Sequence, residues 1–244
     1  MMTDPAWQQI VIGEELLTAV RLLKTGLREV NQMSGASDFF HLPVLLLTSG
    51  FERMMKVVIC CHHHREHGEF PARDIFPQGR RGHDLVWLLD TITARCFSAQ
   101  YLARVPAARN DIAFLQADPE LRALVQIFSD FGQSEGYYNL NVVLGEADPG
   151  PSPDEEWQRL EMEILQDDPT WKQRVTDPSQ LPGMYEQVYK EMTIRCERLA
   201  RSLSRLFTIG GLGDIARQIS PHTNHFLFLS DSDLGTTDYA ALIL

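Results

Sequence analysis

The residues best equipped for chemistry lie in Gly79-Arg80-Arg81-Gly82-His83-Asp84, immediately ahead of the apolar run Leu85-Val86-Trp87-Leu88-Leu89. Two guanidinium groups beside the free N–H groups of a helix start make a place for a phosphate or another anion. An imidazole in the same turn adds a group that exchanges protons near neutral pH. The same residues also read as helix punctuation, with Asp84 answering the helix dipole and Gly82 freeing the entry turn.

A second constellation precedes it. Glu52 and Lys56 stand four apart, the favourable order for an ion pair on one helix face, in a stripe with Ser49, Cys60, His63 and His67. That stripe is either a solvated face or a polar seam turned toward a groove. His62, His63, His64 and His67 crowd the end of the same segment. The i,i+4 pair His63/His67 has metal-ligand spacing, but no nearby carboxylate or thiol completes a set, and histidine is favoured at a helix C-terminus by the dipole alone. No metal site and no cofactor are assigned. Farther on, Arg195, Arg198, Arg201 and Arg205 form a ridge. It either pairs with the acidic segment 154–168 or faces RNA, and a salt titration separates the two.

These groups depend on helices to position them. Asp4-Pro5 starts a first helix, with Leu16, Val20, Leu23, Leu27 and Val30 at helical spacing up to the turn Met33–Ser37. A second helix is expected from about Asp38 to Glu66, its early part apolar all round and therefore central. A Gly- and Pro-rich loop over 68–82 leads to a third from His83 to about Ser98. Further helices are expected at 110–115, from Asp118-Pro119, and over 137–144, where the apolar run also fits a strand. Residues 145–155, GEADPGPSPDE, read as a linker. Beyond lie a short acidic helix at 155–166 and a long helix from Met184 to about Phe207, whose apolar face carries Val188, Met192, Cys196, Leu199 and Leu203. Phe226–Leu229 fits a packed extended segment.

Composition sets bounds. The chain has 244 residues, 44% of them hydrophobic, enough for a real core. Its net charge of -11 argues against broad electrostatic capture of nucleic acid, although residues 146–168, with nine acids against Arg159, account for -8 of it. Four cysteines without a CxxC pair suggest reduced thiols in the cytoplasm. No signal peptide or membrane span is expected, because Asp4 precedes any apolar run and Glu52, Arg53 and Lys56 interrupt the longest one.

The succession LLLTSGFERMMKVVI at 45–59, GEFP at 68–71 and GHDLVWLL at 82–89 resembles HEPN-type helical bundles, in which a Glu-x-x-x-Lys helix precedes a Gly/Thr-His-Asp-Leu turn. Those positions are Glu52, Lys56, Gly82, His83, Asp84 and Leu85, and YYNLNVVLG at 137–145 is similar to a further piece of such bundles. The resemblance spans about 8–145. It implies a four- or five-helix bundle, often dimeric, associated with nucleotides or RNA in bacterial phage-defence or toxin-antitoxin systems. Nucleases of that kind use Arg followed four to six residues later by His. Here Arg109-Asn110-Asp111 is followed by Phe114, Leu115 and Gln116, and the Arg217/His222 pair is interrupted by Pro221.

The sequence reading is thus an all-α, HEPN-like bundle over 1–146, an acidic Pro-rich linker with a short helix over 147–183, and a helical extension over 184–244. Its candidate ligand groove comprises Glu52, Lys56, Arg80, Arg81, His83 and Asp84, with a nucleotide or RNA as ligand. The alternative is a non-catalytic module that dimerises or docks a protein partner.

Overall fold

Two long helices, packed antiparallel, organise the computed structural model, which describes residues 4–35, 40–133, 138–145, 152–177, 179–209 and 211–241, with Arg80, Arg81 and 138–140 described in backbone alone. Helix α1 (Pro5–Val30) begins where the Asp4 carboxylate accepts the Ala6 N–H at 2.9 Å, with Pro5 in its first turn. Helix α2 (His41–His67) ends at Gly68, whose φ of 78° is the left-handed closing conformation that glycine adopts without strain. The two approach through reciprocal notches. A Cβ at Gly26 would lie 2.8 Å from the Leu47 side chain, and one at Gly50 would lie 2.8 Å from Leu23. Each glycine receives the other helix's leucine, so the backbones come close and their register is fixed.

After α2, single 3-10 turns at Arg73–Ile75 and Gly79–His83 lead to α3 (Leu85–Arg95). Then follow α4 (Ala99–Arg104), α5 (Pro106–Ala117) and α6 (Pro119–Gln133). Helix α7 (Tyr138–Val143) takes the helical rather than the strand option. Helices α8 (Pro153–Gln166), α9 (Trp171–Arg174), α10 (Leu181–Thr208), α11 (Asp214–Ile219) and α12 (Asn224–Leu227) complete the series. The fold is all-α, with no strand among the described residues, and no helix of those residues is long and apolar enough to cross a membrane. The expected boundary at 146 and most of the linker, 146–151, lie outside the described residues.

The long helix α10 touches α1, α2, α5, α6 and α8. Its Val188, Met192, Cys196, Leu199 and Leu203 share one buried cluster with Leu16 and Leu23 of α1 and Phe51 and Met54 of α2. The apolar face predicted for this helix is therefore core.

Three local expectations are corrected. Phe226–Leu229 is not extended, because Phe226 belongs to the one-turn helix α12 and is fully buried there. The helix expected at 110–115 starts earlier, since Pro106 stands in its first turn. The arginine ridge does not pair with the 154–168 segment: Arg195 meets Asp118, Glu120 and Glu191, Arg201 meets Asp231 at 2.7 Å, and Arg205 meets Asp111 at 2.6 Å. Arg198 lies over the Phe114 ring, 3.8 Å from its centroid. The ridge is engaged within the chain.

Candidate functional site

The four residues Gly82-His83-Asp84-Leu85 each have a separate physical task. A Cβ at Gly82 would stand 2.8 Å from the Pro77 carbonyl oxygen, so the chain passes its own backbone too closely for any side chain. Asp84 caps α3, its Oδ1 accepting the Trp87 N–H at 2.9 Å. Leu85 is fully buried. Behind the turn lies the buried Ser129 of α6: its Oγ accepts the Leu85 N–H at 3.0 Å and the Gln133 amide at 3.1 Å, and donates to Asp84 Oδ1 at 3.1 Å.

That anchoring delivers His83 to α2. The His83 Nδ1 lies 3.0 Å from both Glu52 oxygens. A carboxylate only accepts, so Nδ1 carries the proton and donates, which leaves Nε2 as the nitrogen that can meet a ligand. On the other side Lys56 Nζ donates to Glu52 Oε1 at 2.6 Å and stands 5.5 Å from the Phe76 ring centroid. One carboxylate thus holds an ammonium four positions away in sequence and an imidazole 31 positions away.

The three line a cavity of about 450 Å³ whose other walls are α1, through Glu15, and α6, through Phe131, Gly132 and Gln133. Gly132 is needed for the closeness of this wall: a Cβ there would approach Thr48 to 3.0 Å and the His83 carbonyl to 3.4 Å. The floor comes from Leu45, Thr48 and Ser49, and Arg53 bonds Glu15 at 2.5 Å across the α1–α2 seam. Charges on the described lining balance, with Glu15 and Glu52 against Arg53 and Lys56.

Of the six residues the sequence singled out, Glu52, Lys56 and His83 meet in the cavity. Asp84 does not line it, being turned to the α3 cap and Ser129. Arg80 and Arg81 belong to the turn leading into His83, and their side chains lie outside the described residues. The stripe on α2 divides: Ser49, Glu52 and Lys56 face this cavity, Lys56 and Cys60 an apolar one, and His63 and His67 a narrow cleft with Arg95. Glu15, Arg53, Gly132 and Gln133 carried no sequence pattern linking them to Glu52. Their signal is tertiary, apart from the glycine within an apolar helix.

Three of the four histidines, His62, His63 and His67, line one narrow cleft, and His64 lies apart from it. His62 is buried against α3, and burial lowers its pKa, with Glu66 opposing. His64 lies against Phe70, and His63 against His67. Among the described residues no group of three or more His, Cys, Asp or Glu side chains is arranged to hold a metal ion.

The arginines of the nuclease-like segments have partners of their own. Asp111 is bound to Arg205, Arg109 donates to the Leu102 carbonyl at 2.9 Å, and Arg217 pairs with Asp214.

No protein-family model, curated protein or solved structure matches the chain.

Proposed function

We propose that the chain is a HEPN-like helical module whose groove holds the phosphate of a nucleotide, free or within RNA, in the defence or toxin-antitoxin setting that the resemblance implies. The observation that carries this reading is the Glu52 carboxylate clasping both Lys56 and His83 on the wall of a cavity large enough for a small ligand. An arriving phosphate draws the Lys56 ammonium and the His83 Nε2 toward itself while Glu52 keeps both oriented. Because the described lining is electrically balanced, net attraction requires protonated His83 together with Arg80 and Arg81 of the adjoining turn. Binding rather than strand cleavage is proposed, since Arg109 is bonded to the Leu102 carbonyl and Arg217 to Asp214.

The test is calorimetric titration of the full chain with nucleoside mono- and triphosphates and mixed RNA. Saturable binding is expected to weaken at least about tenfold in Arg81→Ala/His83→Ala. Circular dichroism of that variant stays unchanged. Equal affinity in the variant sinks the groove assignment. The absence of any binding favours a second reading, a module that dimerises or docks a protein, for which the half-exposed Trp7, Ile10 and Val11 on α1 speak.

A further inference from the structure

Lys56 also lines a neighbouring cavity. Past that side chain the seam between α1 and α2 opens into a second cavity of about 360 Å³, lined by Trp7, Gln8, Val11, Val57, Cys60 and Phe70. Glu15 and Lys56 line both spaces, so the two adjoin across these side chains, with charged groups on the wall toward His83 and a largely apolar wall toward Trp7. From Lys56 to Cys60 is just over one helical turn, a rise of about 6 Å and comparable with the span of a ribose.

Three features define what fits the apolar arm. Trp7 and Phe70 offer aromatic surface, and the Trp7 ring is available because the residue is 55% exposed. Gln8 supplies an amide, donor and acceptor together, suited to the edge of a heterocycle. Cys60 is a neutral wall, since burial pushes its thiol up to about 11 despite the neighbouring Lys56. A wet, open, aromatic-walled arm suits a flat ring with one polar edge better than an alkyl chain, which gains little while exposed to water.

We infer that the apolar arm is the base subsite of a nucleoside 5′-phosphate, whose phosphate lies at Lys56 and His83 and whose base packs against Trp7 and Phe70. The inference rests on the phosphate reading of the groove and specifies its ligand as a single nucleotide unit. Lys56 is the hinge of recognition, the one cation among the described residues that lines both arms.

The experiment compares AMP with ribose 5-phosphate, which has the same phosphate and sugar but no base, by calorimetry on the full chain. AMP is expected to bind about tenfold more tightly. Trp7→Ala removes that preference and leaves ribose 5-phosphate affinity unchanged, whereas Trp7→Phe keeps it; the exposed position of Trp7 leaves the fold intact, checked by circular dichroism. A wild-type chain that binds both alike, or a preference surviving in Trp7→Ala, overturns the base subsite and leaves the phosphate groove standing. Failure of both probes to bind overturns the two together.

Discussion

Glu52 and Ser129 do comparable work by different chemistry. Glu52 spreads one negative charge over two nitrogen donors at the rim of a cavity, where water still reaches His83. Ser129 does its work in the dry interior, where a single hydroxyl satisfies the Leu85 N–H, the Gln133 amide and the Asp84 carboxylate. Removing a buried group of this kind leaves its partners unpaired, so Ser129→Ala is expected to cost about 2 kcal/mol. Thermal denaturation then shows a midpoint lower by roughly 4–8 °C. A midpoint within error of the wild type means that Asp84 alone holds the turn.

At the level of single residues much of the candidate site was legible. Glu52, Lys56 and His83 drew notice because their types and spacing were unusual, and they do meet. Asp84 fits both of its readings in the sequence, because a cap and a ligand use the same carboxylate at the same helix position, and only its neighbours decide. Ser129 carried no mark in the sequence, for a serine in an apolar helix becomes meaningful only once the chain facing it is known.

Among the elements, the seam of α1 and α2 is the most exacting. Alanine at position 50 gains about 1 kcal/mol of helix propensity over glycine. The added methyl meets Leu23 at 2.8 Å and the Leu23 backbone nitrogen at 3.1 Å, and backbone does not yield as a side-chain tip does. Overpacking of this kind costs about 1–3 kcal/mol. Gly50→Ala is therefore expected to be destabilised despite its better propensity, and urea denaturation that finds it more stable than the wild type refutes the notch. Because Glu52 stands two residues beyond Gly50, such a variant also displaces the groove. The long helices were readable from their 3.6-residue apolar spacing. Helix α4, of six residues, was not, since one and a half turns give no period to detect. The partners of the α10 arginines were hidden for another reason: Asp111, Asp118 and Asp231 lie between 30 and 94 positions away or are shared by networks, and charge alone does not select among many acids.

Across the whole molecule the surplus of acid has internal consequences. Burial raises the pKa of Asp130, Glu156 and Glu197, and Asp130 adds repulsion at Glu156. A carboxyl raised in the folded state binds its proton more tightly there than in the unfolded chain. Its contribution to stability is therefore complete below the ordinary carboxylate range, near 4.3 for glutamate, and declines as pH rises through the folded value. His62 and His225 act the other way, because burial lowers their pKa and acid favours the unfolded chain. The difference between a variant and the wild type isolates one group. Glu156→Gln should match the wild type at about pH 4 and exceed it at neutral pH, by about 0.5 kcal/mol after solvent screening, as the burial of its charge and the repulsion from Asp130 are relieved. A difference that does not grow with pH, measured by chemical denaturation, rules out that repulsion.

The tail that follows α12 closes over α10 by a small set of contacts. Glu197 lies at the centre, fully buried, accepting the Gly235 N–H at 2.6 Å and the Tyr239 hydroxyl at 2.7 Å, while Arg201 donates to the Leu229 carbonyl at 2.9 Å. These partners stand 38 and 42 positions after Glu197. During synthesis the ribosome therefore releases this carboxyl well before the groups that satisfy it. Until they emerge, the charged side chain keeps its water and α10 has no reason to seat fully. A nascent chain stalled short of Tyr239 is then expected to leave Glu197 hydrated and α10 incompletely seated.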